Sequence, residues 1–220
     1  MNLIADAMEP YLAASGIQFT RNTPDMTAAS SIAASNAGNY DLHLALHSNA
    51  VGSGQQSTVR GIDAYYYPAS VNGKRFADIA ANNLQLIYPL PGMVKTVPTT
   101  RLGEVARVRA PGVLIELGYH DNPLDADWIR NNINNIAENL VLSLTEYFGI
   151  PFNMPQPIQV GYVSTEGSNL NIRSRPDIGA PIIGKIPNGS EIVIYNRLPE
   201  WDLAGYGGVM GYVSSRYVAV

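Results

Sequence analysis

Three histidines and one glutamate carry the chemical interest of this 220-residue chain: His43, His47, His120 and Glu116. Imidazole is the commonest protein ligand for a metal ion and a ready proton carrier near neutral pH. His43, Ala45 and His47 lie in the run Asp41 to His47 (DLHLALH), which reads as a strand. Side chains alternate along a strand, so these three share one face. In VLIELGYH, Leu114, Glu116, Gly118 and His120 share a face while the chain stays extended. Ligands of open α/β sheets bind at the carboxyl ends of strands, where His47 and Glu116 both fall. A carboxylate inside an apolar run is costly to bury unless it is paired or serves a metal site. Asn49, Arg101 and Glu104 are further polar groups able to line the same cleft.

The surrounding elements must hold these residues in place. Leu3, Ala7, Met8, Tyr11 and Leu12 repeat at helical spacing, and Gly16 ends that helix. Ile17 to Thr20 reads as a short strand, and Thr27 to Ala37 as an Ala- and Ser-rich helix. The stretch GSGQQST after the histidine strand is a loop by composition. Gly61 to Tyr67 is a second clear strand. Asn72 to Tyr88 is a long helix with Phe76, Ile79, Ala80 and Leu84 facing inward. Val113 to Leu117 is a buried strand, and Pro123 to Phe148 is helical with a break near Asn131-Asn132. Strands separated by helices argue for an α/β domain, residues 1–149, with a mostly parallel sheet flanked by helices.

Residues 150–158 hold three prolines, Pro151, Pro155 and Pro157, which favour an extended, semi-rigid linker. Beyond them, across 159–220, short strands follow at close spacing with Gly and Pro between: a small all-β barrel.

Composition narrows the classes. Apolar residues make up 46% and charged residues 15%, enough for a folded core. Up to Gly149 there are 13 acidic and 9 basic residues, and 5 of each after it, so neither part has the basic excess of a nucleic-acid binder. With no cysteine, disulfides and thiolate metal sites are excluded. No stretch has the ~18 consecutive apolar residues of a membrane span. The opening MNLIADAMEPYLAASG has no basic leader region and reads as a helix already under way.

An ordered series of motifs resembles the zinc-dependent N-acetylmuramoyl-L-alanine amidases, the Amidase_3 family. Tyr40 to Ala50 (YDLHLALHSNA) resembles the family's His-x-Asn strand, preceded by Phe19-Thr20-Arg21-Asn22 and Ser35-Asn36. Gly61-Ile-Asp-Ala-Tyr-Tyr66 resembles the next strand, and Val113 to Asn122 the family's Leu-x-Glu-x-Gly-Phe-x-x-Asn segment, followed by Asp125. The likeness runs from Met1 to about Tyr147. It implies hydrolysis of the amide joining muramic acid to L-alanine in peptidoglycan, with Zn2+ as cofactor, His47 as a zinc ligand and Glu116 as the catalytic carboxylate. Leu102-Gly103-Glu104 resembles a substrate-contacting loop. The family's first strand and two further zinc ligands would precede Met1, because Asn2-Leu3 matches the first helix. Two expectations follow: a longer native chain, or a substitute site that adds His43 and His120. The alternative function is a catalytically inactive wall-binding protein.

Residues Gly161 to Val220 resemble the bacterial SH3 family through Leu170-Asn-Ile-Arg-Ser-Arg-Pro176, Gly184, Gly189, Trp201, Gly211-Tyr-Val213 and Tyr217. That likeness implies peptidoglycan as partner and an extracellular or wall-associated location. Trp201, Tyr206 and Tyr212 would line a groove, with Arg173 or Arg175 pairing with a peptide carboxylate, or the aromatics would instead fill the core of the barrel.

Overall fold

The computed structural model describes residues 1–52 and 57–220. Residues 53–56, within the expected GSGQQST loop, lie outside the described residues. The chain divides into two compact units: Met1–Met8 with Thr20–Phe148, and Glu9–Phe19 with Gly149–Val220.

The first unit is α/β, as its alternating pattern requires. Its sheet contains β1 (His43–Asn49), β2 (Ile62–Tyr66), β3 (Val94–Pro98) and β4 (Gly112–Tyr119), in the order β1-β4-β2-β3. β1 runs parallel to β4 and β2 parallel to β3, while β2 is antiparallel to β4. The sheet is therefore mixed. β3 was not legible as a strand, because Lys95 and Pro98 interrupt its apolar run.

One sheet face is dry. Ile62, Ala64, Val113, Ile115 and Leu117 are fully buried. α3 (Val71–Gln85) packs on this sheet, and α6 (Ile133–Phe148) packs on α3. Phe76, Ala80, Leu84, Ile136, Leu140 and Val141 supply the facing apolar surface. The other face carries a small cluster of Ala45, Leu114 and Val105, the last from the short helix α4 (Gly103–Ala106).

Local chemistry sets the helix boundaries. α2 (Ala28–Ala37) starts at Thr27, whose hydroxyl accepts from the Ser30 amide in a capping box. The expected break near Asn131-Asn132 separates α5 (Pro123–Asn131) from α6. There the Asn132 side chain donates to the Trp128 carbonyl at 2.8 Å. α1 (Asn2–Ala14) buries Ile4, Met8 and Leu12, whereas Leu3 is 64% exposed. Met8 and Leu12 lie on the buried face as expected, and only at its start does Ile4 take the place of Leu3. Ile17 to Thr20 forms no strand. Gln18, Phe19 and Thr20 are exposed, and no described strand lies beside them to supply a ladder.

The second unit is all-β apart from its share of α1. β5 (Gln159–Val163), β6 (Leu170–Arg173), β7 (Ile182–Ile186), β8 (Glu191–Arg197), β9 (Trp201–Tyr206), β10 (Val209–Ser214) and β11 (Val218–Ala219) form one seven-stranded sheet. Its core is aliphatic: Val163, Leu170, Ile172, Ile186, Ile192, Ile194, Ala204 and Val213. The proline-rich segment before β5, expected as a linker, is irregular and is anchored within this unit. Buried Asn153 donates to the Ala14 carbonyl at 3.1 Å, and its amide donates to Ser15 Oγ at 3.1 Å.

Candidate active site

The parallel register of β1 and β4 aligns His47 with Glu116. The antiparallel register of β4 and β2 aligns Glu116 with Asp63. Partners aligned across adjacent strands project from the same face. His47, Glu116 and Asp63 therefore form a row across three strands, on the face opposite the dry core. His47 and Glu116 stand side by side toward the carboxyl ends of β1 and β4. Asp63 was not singled out from sequence, because its place beside Glu116 depends on a strand register that only the fold supplies.

Glu116 is half-buried, and among the described residues its Oε2 is buried with no hydrogen-bond partner. Burial pushes its carboxyl above the usual carboxylate range, with Asp63 adding to the effect and His47 and His120 opposing it. Tyr65 donates to Asp63 Oδ2 at 3.3 Å. Burial first, and Asp63 second, push its hydroxyl up to about 12.

Glu104 comes from α4 and points back at the histidine strand. Its Oε2 lies 3.0 Å from His47 Nε2, and its Oε1 lies 4.0 Å from His43 Nε2. The hydrogen bond from His47 holds Glu104 below the ordinary carboxylate range, and Glu104 in turn raises His47. α4 is pinned from both sides. Asn36 of α2 donates to the Arg107 carbonyl and accepts from the Arg109 amide, at 2.8 and 2.7 Å. Beneath α4 lies Gly112, where a Cβ would stand 2.8 Å from the Glu104 carbonyl. Only a glycine lets the helix approach β4 this closely.

The other expected residues are placed differently. His43 bonds through Nδ1 to Ser35 Oγ at 3.0 Å, and burial lowers its pKa. His120 does not join His47. A register shift after His47 turns the chain, and His120 Nδ1 sits 3.1 Å from Ser48 Oγ. His120 lies near enough to Glu116 to act on its charge, yet among the described residues it completes no group of three possible ligands with His47. Asn49 caps the end of β1, its Oδ1 accepting from the Ala50 amide. Arg101 is exposed on the loop before α4, where its amide donates to Thr99 Oγ1.

A catalytic zinc ion takes three protein ligands and keeps one open position. Among the described residues no group of three His, Asp or Glu side chains could hold a metal ion. His47 and Glu104 make an adjacent pair, which is short of a full ligand set.

Residues 2–146 match the family model described as N-acetylmuramoyl-L-alanine amidase. The chain belongs to that amidase family. The amidase therefore acts on peptidoglycan, at the amide between N-acetylmuramic acid and L-alanine. Residues 168–219 match a second model, the bacterial SH3 domain. No curated protein matches the chain in sequence. Among solved structures, an N-acetylmuramoyl-L-alanine amidase from Clostridium difficile is similar at 18% identity and a TM-score of 0.58, covering 67% of this chain and 81% of that one. The catalytic domain of CwlV from Bacillus (Paenibacillus) polymyxa has 21% identity and a TM-score of 0.57 over 68% and 84%. AmiC2 of Nostoc punctiforme has 20% identity and a TM-score of 0.56 over 67% and 81%. At these identities the likeness is one of fold.

In the SH3 part, Tyr212 is 2% exposed and aligns with Leu203, on the face opposite the one that Val213 and Ala204 turn to the barrel core. It is buried and not a groove residue, because the segments around Gly16 and Asn153 cover it. Tyr206 packs partly against the barrel core. Trp201 and Arg173 do line one cleft, and Arg175 does not.

The amidase's two strand histidines should titrate apart. In the metal-free chain, imidazole NMR is expected to place His47 above the ordinary 6.5 and His43 below it. The His47–Glu104 pair carries both charges between the ordinary Glu104 value of 4.5 and that 6.5. Its stabilisation is lost as pH rises through His47's raised value or falls through Glu104's lowered one. His43, buried neutral, works the other way and costs stability as pH drops below 6.5. Glu104→Gln should return His47 toward its ordinary value; an unmoved His47 would rule out the pair.

Proposed function

We propose that Glu116 is the proton-transferring group of this amidase, with His47 beside it at the scissile amide. The observation that carries the reading is the alignment of His47 with Glu116, together with a buried Glu116 oxygen that has no partner among the described residues. A half-buried carboxylate with a raised pKa suits both halves of the task. As a base it takes a proton from the attacking water, and as an acid it hands that proton to the departing L-alanine nitrogen. Asp63, aligned on the far side of Glu116, keeps negative charge near it and favours the protonated state between the two transfers. Asn49 borders this end of the sheet and Glu104 positions His47; Arg101 follows β3, whose end lies level with the start of β4, at the sheet's other end.

Zinc dependence belongs to the same reading. It rests on the family resemblance, with His47 as a donor, and not on a completed ligand set among the described residues. Bound zinc would polarise the amide carbonyl and acidify water. The bacterial SH3 domain anchors the enzyme to the wall, and its place of action is extracellular or wall-associated.

The test is release of L-alanine amino termini from purified walls, with metal content measured alongside. Activity is expected to vanish on chelation and to return with zinc. A metal-free chain that still cleaves overturns the zinc dependence. Walls left intact by a zinc-loaded chain overturn the residue assignment.

A further inference from the structure

The SH3 domain contains a cleft of about 400 Å³ that the amidase chemistry does not use. That volume falls in the range of small-ligand sites, roughly 300–1,000 Å³. The loop between β5 and β6 forms one side and the helical turn Ser215–Tyr217 the other. The two sides are tied together: the Ser164 amide donates to the Tyr217 carbonyl at 2.9 Å. The loop is held by the turn between β7 and β8, its Thr165 amide donating to Asn188 Oδ1 at 2.7 Å. The Ser215 hydroxyl donates to buried Asp202 at 3.2 Å, which fixes the turn. The cleft is thus built before any ligand arrives.

Its lining mixes three chemistries. Trp201, Tyr217 and the 77% exposed Ile178 give apolar surface. Arg173 and Arg216 give two guanidinium groups, and Glu166 the lone carboxylate among the lining residues. Residues 150–220 hold five basic and five acidic side chains, so two of five cations line one cleft. Of the other cations, Arg197 is committed to Asp202 by two hydrogen bonds. Among the described residues neither Arg173 nor Arg216 has an ion-pair partner. Arg173 spends one donor on the Ala180 carbonyl at 2.8 Å, which orients its guanidinium. Arg216 lies over the Tyr217 ring at 5.7 Å. A guanidinium has five donors in a planar fork that matches a carboxylate. Paired arginines beside aromatic and aliphatic surface select an anion attached to a small apolar group.

We propose that this cleft binds the free carboxylate end of a peptidoglycan stem peptide, the carboxylate on the arginines and the terminal methyl side chain against Trp201 and Ile178. The proposal rests on the wall-anchoring reading and adds to it the end of the peptide that is read. It makes anchoring selective for uncrosslinked stems, because crosslinking consumes or hides terminal carboxylates. Of the three aromatics weighed for a groove, Trp201 lines this cleft while Tyr206 and Tyr212 do not, and Tyr217 joins it.

The test uses the full chain and a stem pentapeptide ending in D-alanyl-D-alanine, as the free acid and as the C-terminal amide, with inorganic phosphate as a third probe. The chain has two tryptophans, Trp128 and Trp201, so two indole N–H resonances report separately. The acid is expected to move the Trp201 resonance and leave Trp128 still. The amide and Arg216→Gln should each weaken binding roughly tenfold or more, the loss of one charge-assisted contact. Equal binding of acid and amide, or phosphate binding as tightly as the acid, overturns the proposal. Co-sedimentation with intact walls, in a Glu116→Gln background, separates the two readings. Walls that still retain the chain when acid and amide bind alike leave anchoring intact and move it elsewhere. Walls that retain nothing overturn anchoring and the proposal together.

Discussion

Glu116→Gln is expected to lower amide hydrolysis by about 10²- to 10⁴-fold while leaving the fold intact. Glutamine keeps the shape of the side chain and removes its ability to carry a proton. The loss should appear in kcat, because the group acts at the reacting atoms and not in holding the substrate. The same change relieves the structure of a half-buried carboxylate whose Oε2 has no partner among the described residues. Thermal unfolding should therefore be unchanged or slightly higher. This combination separates a chemical role from a structural one, since a residue that merely filled space would lose stability and activity together. Activity of the parent should also fall as pH drops through the raised Glu116 value, because the base form is then lost. Wall digestion by Glu116→Gln at the parent's rate would sink the assignment.

Much of this arrangement can be read locally. Alternation along DLHLALH places His43 and His47 on one face whatever the fold, and the apolar run VLIEL marks Glu116 as a buried acid. The rows that cross strands cannot be read that way. His47 stands beside Glu116, and Glu116 beside Asp63, because of pairings between segments some 50 to 70 residues apart. No local pattern encodes such a register. Glu104 is a similar case. It reaches His47 because Asn36 and Gly112 bring a four-residue helix down onto the sheet, a tertiary effect. The barrel shows the same limit in another form. Tyr212 and Tyr217 both sit in the motif that resembles bacterial SH3 domains, yet one is buried and the other lines the cleft. Tyr212 points away from the barrel core and is covered by the segments around Gly16 and Asn153, which are remote in sequence.

The most damaging single change away from the reacting atoms should be Asp125→Ala. Asp125 is fully buried and gathers four donors. Arg60 Nε and the Tyr88 hydroxyl reach its Oδ1, each at 2.7 Å. The Gly61 and Tyr119 amides reach Oδ2 at 3.2 and 3.1 Å. These partners come from the start of β2, the end of α3 and the end of β4, so one carboxylate ties together the elements that carry Asp63 and Glu116. The loop around it is shaped to fit. Gly118 has a φ of 90°, and a Cβ there would stand 3.2 Å from Asp125 Oδ2. Asn122 caps α5 by accepting from the Asp125 amide at 3.3 Å. Alanine would leave a guanidinium, a phenol and two amides without their acceptor in a dry site. Breaking a buried pair in this way costs about 3–5 kcal/mol, on the order of 10 °C in Tm for a domain of this size. Asp125→Asn should cost less, since the amide oxygen still accepts while the charge opposite Arg60 is lost. Asp127→Ala makes the comparison. Its partner Arg130 is 68% exposed, and an exposed pair of this kind contributes about 1 kcal/mol or less. Chemical denaturation of the three variants measures the difference. Equal losses for Asp125→Ala and Asp127→Ala would mean that the buried carboxylate does not hold the strands as its contacts imply.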